Sequence, residues 1–313
     1  MNPARLPWID AARGGALLAM FAYHLVWDMG FYRLIDPALP GTGGFKLFGH
    51  AIATAFLALA GVSLVLARQR ADFLAGFWRR LVLLAGAAGA VTLASLWFSP
   101  DAPIYFGILH CIALSSLLAL PLLRADPRVL GLAMVWPGLL ACFVQSAALD
   151  GPALSWLGLG TNYPQSEDFR PLFPWLAALM AGVLAARLWV AGSPQTADRA
   201  AFRPKPGPLA WMGRHSLAIY LIHQPVLVGL VALAAGQLQP AAPPGPAPGF
   251  QAECLNVCAA NGAKPEVCRK GCGCIEETLK REGLWSAVAT GRMNAGQPQR
   301  LTAIALQCSR DGQ

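Results

Sequence analysis

All five histidines of this chain sit inside or at the ends of long apolar segments. The first, His24, stands one helical turn before Asp28. A carboxylate so placed can fix an imidazole's tautomer and raise its basicity, as a general base requires. At about 100° per residue, and taking Arg13 as zero, His24 falls at about 20° and both Asp10 and Asp28 at about 60°. Four ionisable side chains therefore share one narrow seam of a helix. An ionisable group at membrane depth costs roughly 2.5 to 3.5 kcal/mol on insertion scales and faces a bundle interior or a wet cavity. The seam points to proton-transfer chemistry inside a membrane.

Two further histidines join the candidates. His110 follows Tyr105-Phe106-Gly107-Ile108-Leu109, and His223 sits in the middle of Ser216-Leu217-Ala218-Ile219-Tyr220-Leu221-Ile222-His223-Gln224-Pro225. Pro225 lacks an amide hydrogen and frees the carbonyl one turn earlier, which suits a cavity wall. His24, Asp28, His110 and His223 are thus the expected catalytic set. Asp10 and Arg13, at i and i+3, can pair and pin the helix at the interface, but a guanidinium also binds phosphate. His50 and His215 lie near span ends, where histidine is ordinary. The connection 150–171 supplies Asn162, Tyr163 and Asp168, with Thr161, Gln165, Ser166, Glu167 and Arg170 around them. So long a loop is commonly functional or disordered, and its aromatic and hydrogen-bonding residues suit a polyhydroxylated acceptor such as a sugar.

The elements that must position these residues are membrane helices. Of 313 residues 56% are hydrophobic and only 13% charged, against about 25% charged in an ordinary soluble domain. Seven apolar spans are expected, at about 10–30, 47–67, 77–98, 104–123, 129–149, 172–191 and 213–236, each near the length that crosses roughly 30 Å of hydrocarbon. Pro137 interrupts the fifth. Cys111 and Cys142, inside spans, are expected to be buried small hydrophobes.

A net charge of +8 invites a nucleic-acid reading, which the distribution of the basic residues excludes. Alternate connections hold Arg5; Arg68, Arg70, Arg79 and Arg80; Arg124 and Arg128; and Arg187, Arg199, Arg203, Lys205 and Arg214. The other connections hold only Arg33, Lys46 and Arg170. By the positive-inside rule the first set faces the cytoplasm, with the N-terminus inside and the C-terminal tail outside. No cleavable signal is evident, because the first apolar stretch carries four ionisable residues. A bacterial inner membrane with a periplasmic tail is the expected location. Walker A, GxGxxG, HExxH and nucleophile-elbow motifs are all absent.

Three segments are expected: a transmembrane domain over 1–236, a proline-rich linker over 237–249, and a cysteine-rich tail over 250–313. The tail holds six of the eight cysteines: Cys254, Cys258, Cys268, Cys272, Cys274 and Cys308. Two C-x3-C pairs put two thiols on one face of each of two short helices. Folded back antiparallel, Cys254 meets Cys272 and Cys258 meets Cys268, leaving Cys274 with Cys308. This is the geometrically simplest of the fifteen possible pairings. So small a module has little core, and disulfides hold such pieces together in oxidising compartments. A four-thiolate zinc site is the competing arrangement; no metal is expected.

The first helix, with Ile9-Asp10-Ala11-Ala12-Arg13-Gly14 and then Met20 and His24, resembles the opening of the heparan-alpha-glucosaminide N-acetyltransferase-like family of membrane acyltransferases. Phe56-Leu57-Ala58-Leu59-Ala60-Gly61-Val62-Ser63-Leu64, Phe106-Gly107-Ile108-Leu109-His110 and the run from Gly213 to Pro225 are also similar. The resemblance implies an all-α polytopic bundle that takes an acetyl or acyl group from a cytoplasmic CoA thioester and delivers it to a glycan or sugar outside. The family's catalytic histidine lies just beyond the first helix, around Leu34 here, where this chain has none, so His24 is taken in its place. CoA is then expected near Arg13, Arg214 and His215, with reaction near His24, Asp28, His110 and His223. A covalent acyl-histidine and a direct transfer both fit. The rival expectation is a non-enzymatic bundle, a transporter or heme-binding protein, that uses the same intramembrane histidines.

Overall fold

The computed structural model describes residues 6–32, 34–36, 38–100, 102–164, 166, 168–192, 207–238, 250–260, 264–290 and 297–311. Arg5, Arg33, Gln165, Glu167, Arg199, Arg203, Lys205 and positions 239–249 of the linker lie outside the described residues. Among the described residues every long element is an α-helix, as apolar runs without strand-like alternation require. The chain divides into two compact units, Met1–Ala232 and Leu233–Gln313.

The first unit contains α1 (Pro7–Phe31), α2 (Gly43–Ala67), α3 (Phe73–Phe98), α4 (Ile108–Ala119), α5 (Pro127–Phe143), α6 (Leu172–Gly192), α7 (Pro208–Arg214) and most of α8 (Ser216–Leu238). Among the described residues four helices are long and apolar enough to cross a membrane: α2, α3, α6 and the Ser216–Gly236 part of α8. The protein is an integral membrane protein. The expected spans differ from the observed helices in their parts. α1 is long enough at 25 residues but carries Asp10, Arg13 and Asp28. α4 has 12 residues, about 18 Å of rise against roughly 30 Å of hydrocarbon. α5 ends at Phe143 after 17 residues, and Pro137 lies inside it without ending it. The expected span 213–236 is broken at His215, which closes α7 before α8 begins.

Glycines set the helix crossings. A methyl group on Gly14 would strike the Leu209 carbonyl of α7, and one on Gly213 would strike the Asp10 carbonyl of α1. Gly61 of α2 lies likewise against the Leu179 carbonyl of α6, and Gly182 against the Ala58 carbonyl. Lipid offers no hydrophobic drive between helices, so close backbone approach through small residues takes its place. The main core gathers Leu57, Leu64, Cys111, Leu130, Leu179 and Val183. A second cluster, Leu17, Met20 and Ile52 with Ile219 and Tyr220 against it, joins α1, α2 and α8. Cys111 is buried as expected, whereas Cys142 is exposed, because α5 buries only Leu130 and Pro137.

These contacts sort the helix ends. Arg13 pairs with Asp10 at 3.3 Å and donates to the Ser63 hydroxyl, so the start of α1 meets the end of α2. Ala60, Leu64, Arg80 and Ser116 line one small recess, which adds the start of α3 and the end of α4. Arg187 donates to the Leu123 carbonyl, which adds the end of α6. One end of the bundle is thus rich in arginine. The opposite end carries the connection 144–171.

In the second unit, α9 (Phe250–Ala260) and α10 (Pro265–Arg281) are joined by the Cys254–Cys272 and Cys258–Cys268 disulfides, with Cα separations of 6.0 and 5.6 Å. The Cys274–Cys308 disulfide ties α10 to α12 (Gln297–Asp311), and α11 (Trp285–Thr290) lies between them in the chain. Leu279, Trp285, Ile304 and Cys308 form its small core. Arg300 holds both oxygens of Glu282, one at 2.8 Å, and keeps that carboxyl below its usual range.

Candidate active site

The rings of His24 on α1 and His223 on α8 meet edge to face, with centroids 5.0 Å apart. Phe21 stacks on His223 at 5.4 Å, one turn before His24, and Tyr220 lies 5.5 Å away, one turn before His223. His223 is 9% exposed. Its Nδ1 lies 2.5 Å from the Tyr220 carbonyl oxygen. A carbonyl only accepts, so Nδ1 carries the hydrogen and Nε2 the lone pair. That Nε2 is buried and has no hydrogen-bond partner among the described residues.

Asp28 is 4% exposed, and its Oδ1 accepts from Gln224 Nε2 at 2.9 Å. The hydrogen bond described for this carboxylate thus runs to the neighbour of His223 on α8, where the sequence had suggested His24 as its partner. Seen from α1, His24 and Asp28 face two successive residues of α8.

The 144–171 connection reaches the same place. Asp168 Oδ2 accepts from the Ile108 amide at the start of α4, at 2.9 Å. Asp168 also lies within electrostatic range of Tyr220 and pairs with Arg170 at 3.8 Å. The Arg170 guanidinium lies over Trp175 at 5.4 Å, and its backbone amide donates to the Phe106 carbonyl at 3.1 Å. Asp168 and Arg170 both lie within electrostatic range of Tyr23, His24 and Tyr220. His50 meets Trp175 edge to face at 5.5 Å, on the edge of this group.

The structure thus brings His24, His223, Asp28 and Asp168 together. His110 is near but otherwise engaged. Its Nδ1 accepts from the Gly107 amide at 3.2 Å, which puts the hydrogen on Nε2, 3.3 Å from the Thr92 hydroxyl. Both ring nitrogens are spent at the start of α4. Asn162 is spent as well: its amide and side chain donate to Asp150 at 3.0 and 2.9 Å, beside the Thr161 amide and hydroxyl at 2.6 and 2.7 Å. These donors, the Asn162 amide first, hold the Asp150 carboxyl at about 2. Tyr163 is exposed and rests on Phe169 at 5.8 Å. Arg13, Arg214 and His215 lie at the arginine-rich end, since Gly213 packs on Asp10. Arg13 and His24 are eleven residues apart, about 16 Å along α1.

Arg170, Tyr220 and Gln224 belong to the group although sequence reasoning gave them no role in it. Arg170 had a usable signal, as the single basic residue of its connection, but was counted toward membrane orientation and as one of that loop's polar residues, with no role beside His24. Tyr220 stands one turn before His223 on an apolar helix and offered a polar tip on the same face.

A helical membrane bundle with a histidine pair in contact between α1 and α8, beside a polar loop, defines the class. Residues 5–225 match the family described as heparan-alpha-glucosaminide N-acetyltransferase, catalytic, and the chain belongs to that family. This family membership implies acyltransferase activity. No curated protein and no solved structure matches the chain.

Proposed function

We propose that this protein moves an acetyl or acyl group from a CoA thioester to a sugar or glycan acceptor, with the His24–His223 pair as its chemical centre. The observation that carries this reading is the buried His223 Nε2, a neutral imidazole nitrogen with its lone pair unused beside a second imidazole. Such a nitrogen is a free proton acceptor, placed to serve as a general base on an acceptor amine or hydroxyl. Rings in edge contact leave no layer between them for a porphyrin, which favours acyl transfer over the heme-binding alternative.

The donor enters at the arginine-rich end, where Arg13, Arg214 and His215 meet its phosphates. By the positive-inside rule that end faces the cytoplasm, and the extended pantetheine arm reaches from there toward His24. The acceptor approaches from the loop end. Asp168, held by the Ile108 amide, orients it by accepting hydrogen bonds, and the exposed face of Tyr163 suits a sugar ring. The acceptor's lone pair adds to the thioester carbonyl, the C–S bond breaks, and the acceptor's proton passes through the imidazole pair to the departing thiolate. The transmembrane unit in a bacterial inner membrane, with the cysteine-rich tail in the periplasm, is the setting that fits oxidised cysteines.

The test uses purified protein in detergent with acetyl-labelled acetyl-CoA and glucosamine. Acceptor-dependent transfer of label is the expected result. Absence of transfer together with absence of CoA binding by calorimetry contradicts the proposal.

A further inference from the structure

Arg170 carries a buried hydrogen with no acceptor. Three contacts fix the residue: its backbone amide donates to the Phe106 carbonyl at 3.1 Å, its Nη1 donates to the Phe169 carbonyl at 2.9 Å, and its guanidinium lies over the Trp175 ring at 5.4 Å. Asp168 Oδ1 stands 3.8 Å from Nε, near enough to restrain the cation and too far to take its hydrogen. Nε is buried and has no hydrogen-bond partner among the described residues. The guanidinium lies within electrostatic range of His24 on α1, His50 on α2, Cys111 on α4 and Tyr220 on α8, so four helices converge on it. Lys46, near the start of α2, is exposed, which leaves Arg170 as the cation carried into this end of the bundle among the described residues.

A buried donor without an acceptor is costly, and a guanidinium cannot escape the cost by losing its proton. Its counterpart is His223 Nε2, a buried acceptor without a donor, on a ring that touches His24. Acyl transfer from a thioester needs one atom of each kind: an acceptor for the proton of the nucleophile, and a fixed donor for the negative charge that builds on the carbonyl oxygen. We propose that Arg170 is a further catalytic residue, whose Nε–H stabilises the oxyanion of the tetrahedral intermediate. The inference rests on the acyl-transfer reading above and adds the group that reading lacks. The acceptor's lone pair adds to the thioester carbon, the carbonyl π pair moves onto oxygen, and that oxygen takes the Nε hydrogen bond. When the pair returns, the C–S bond breaks, and the acceptor's proton passes through His223 Nε2 to the CoA thiolate. Arg170 keeps its protons throughout, and Trp175 is a positioning residue that holds the plane of the guanidinium.

The experiment measures kcat and KM for transfer from acetyl-CoA to glucosamine, and acetyl-CoA affinity by calorimetry, with the full chain in detergent. Arg170→Ala is expected to lower kcat by about 10²- to 10³-fold, the usual effect of removing one oxyanion donor, while both KM values and the acetyl-CoA affinity hold. Added guanidinium is expected to restore kcat saturably in this variant and to leave wild type unchanged, whereas urea at the same concentration restores nothing. Damage to the fold is not relieved by guanidinium, which is itself a denaturant. Arg170→Lys keeps the charge and loses the planar fork; it is expected to lower kcat as well, and serves if the alanine variant does not accumulate. Unchanged kcat in both variants, a loss confined to KM for glucosamine, or a fall in kcat of the alanine variant that guanidinium does not relieve each overturns the role of Arg170 and leaves acyl transfer intact. Wild-type protein that transfers no label and does not bind acetyl-CoA overturns the acyl-transfer reading and this inference with it.

Discussion

The His24 and His223 imidazoles lie in edge contact, 5.0 Å between centroids, and the Tyr220 carbonyl decides which nitrogen of His223 is available. A helix carbonyl is an unusual partner for an imidazole in its own helix, since it normally serves the amide of the residue four positions on. Here it fixes the tautomer without any carboxylate, and Asp28 is left to orient Gln224. Phe21 stacked on His223 holds the ring plane. The first and last helices of the bundle therefore supply one half of the site each, and anything that shifts α1 against α8 disturbs it.

The glycine crossings set that relation. At Gly213 and Gly61 an added methyl would meet the carbonyls of Asp10 and Leu179, backbone atoms that cannot turn aside. At Gly86 and Gly89 it would meet nothing within 4 Å. Alanine in a helix is otherwise favoured over glycine by about 1 kcal/mol. Gly213→Ala and Gly61→Ala are expected to lower the melting temperature in detergent, by overpacking of about 1–3 kcal/mol or more, whereas Gly86→Ala and Gly89→Ala hold or raise it. Equal melting of all four variants contradicts the close crossings.

The seam of Asp10, Arg13, His24 and Asp28 was legible because helical periodicity needs only the local sequence. Its partners were not. Gln224 meets Asp28 across 196 positions, and no spacing rule joins residues brought together only by packing. The span expected over 104–123 shows the other limit. Apolar composition carries through the stretch before Ile108, yet the backbone there is irregular and not helical, with the Thr92 hydroxyl donating to the Ile104 carbonyl at 2.7 Å and the Ile104 amide to Ser95 at 2.8 Å. Hydropathy reports which solvent a segment prefers, and these side-chain bonds decide its backbone. The tail was the most legible part, since two C-x3-C pairs on helices leave few workable geometries.

Asp150 closes its own loop with four hydrogen bonds from Thr161 and Asn162. Its carboxyl is held at about 2, below the ordinary 3.8, so the folded loop favours the anion. The contribution is complete above the ordinary value and is lost as pH falls through about 2. Hydrogen exchange of a peptide covering 150–162 is expected to show protected Thr161 and Asn162 amides in wild type down to about pH 3. In Asp150→Asn protection is lost at neutral pH. Equal protection in the two proteins contradicts the clamp.

Cross-links that close longer loops remove more freedom from the unfolded chain. The Cys274–Cys308 link spans 34 positions and the Cys258–Cys268 link spans 10. Loop entropy assigns them about 4 and about 3 kcal/mol. Replacing Cys274 and Cys308 by serine is therefore expected to destabilise the tail more than replacing Cys258 and Cys268, as read by hydrogen exchange over 297–311 under rising denaturant. Every proposed site residue lies in the first unit, and the family match ends at residue 225. Deletion of 237–313 is expected to leave acyl transfer within about twofold, since no reacting group is removed. A large loss on deletion would couple the tail to the chemistry.

The central claim is that His24 and His223 act as one chemical unit. The direct measurement is a double-mutant cycle on kcat/KM for transfer from labelled acetyl-CoA to glucosamine, with His24→Ala, His223→Ala and the double variant. Groups that work as a unit give non-additive losses. Each single substitution is expected to cost about 10²- to 10⁴-fold, the usual contribution of a general base, and the double variant little more than the worse single one. Losses that multiply, or transfer that survives both substitutions, would contradict the account.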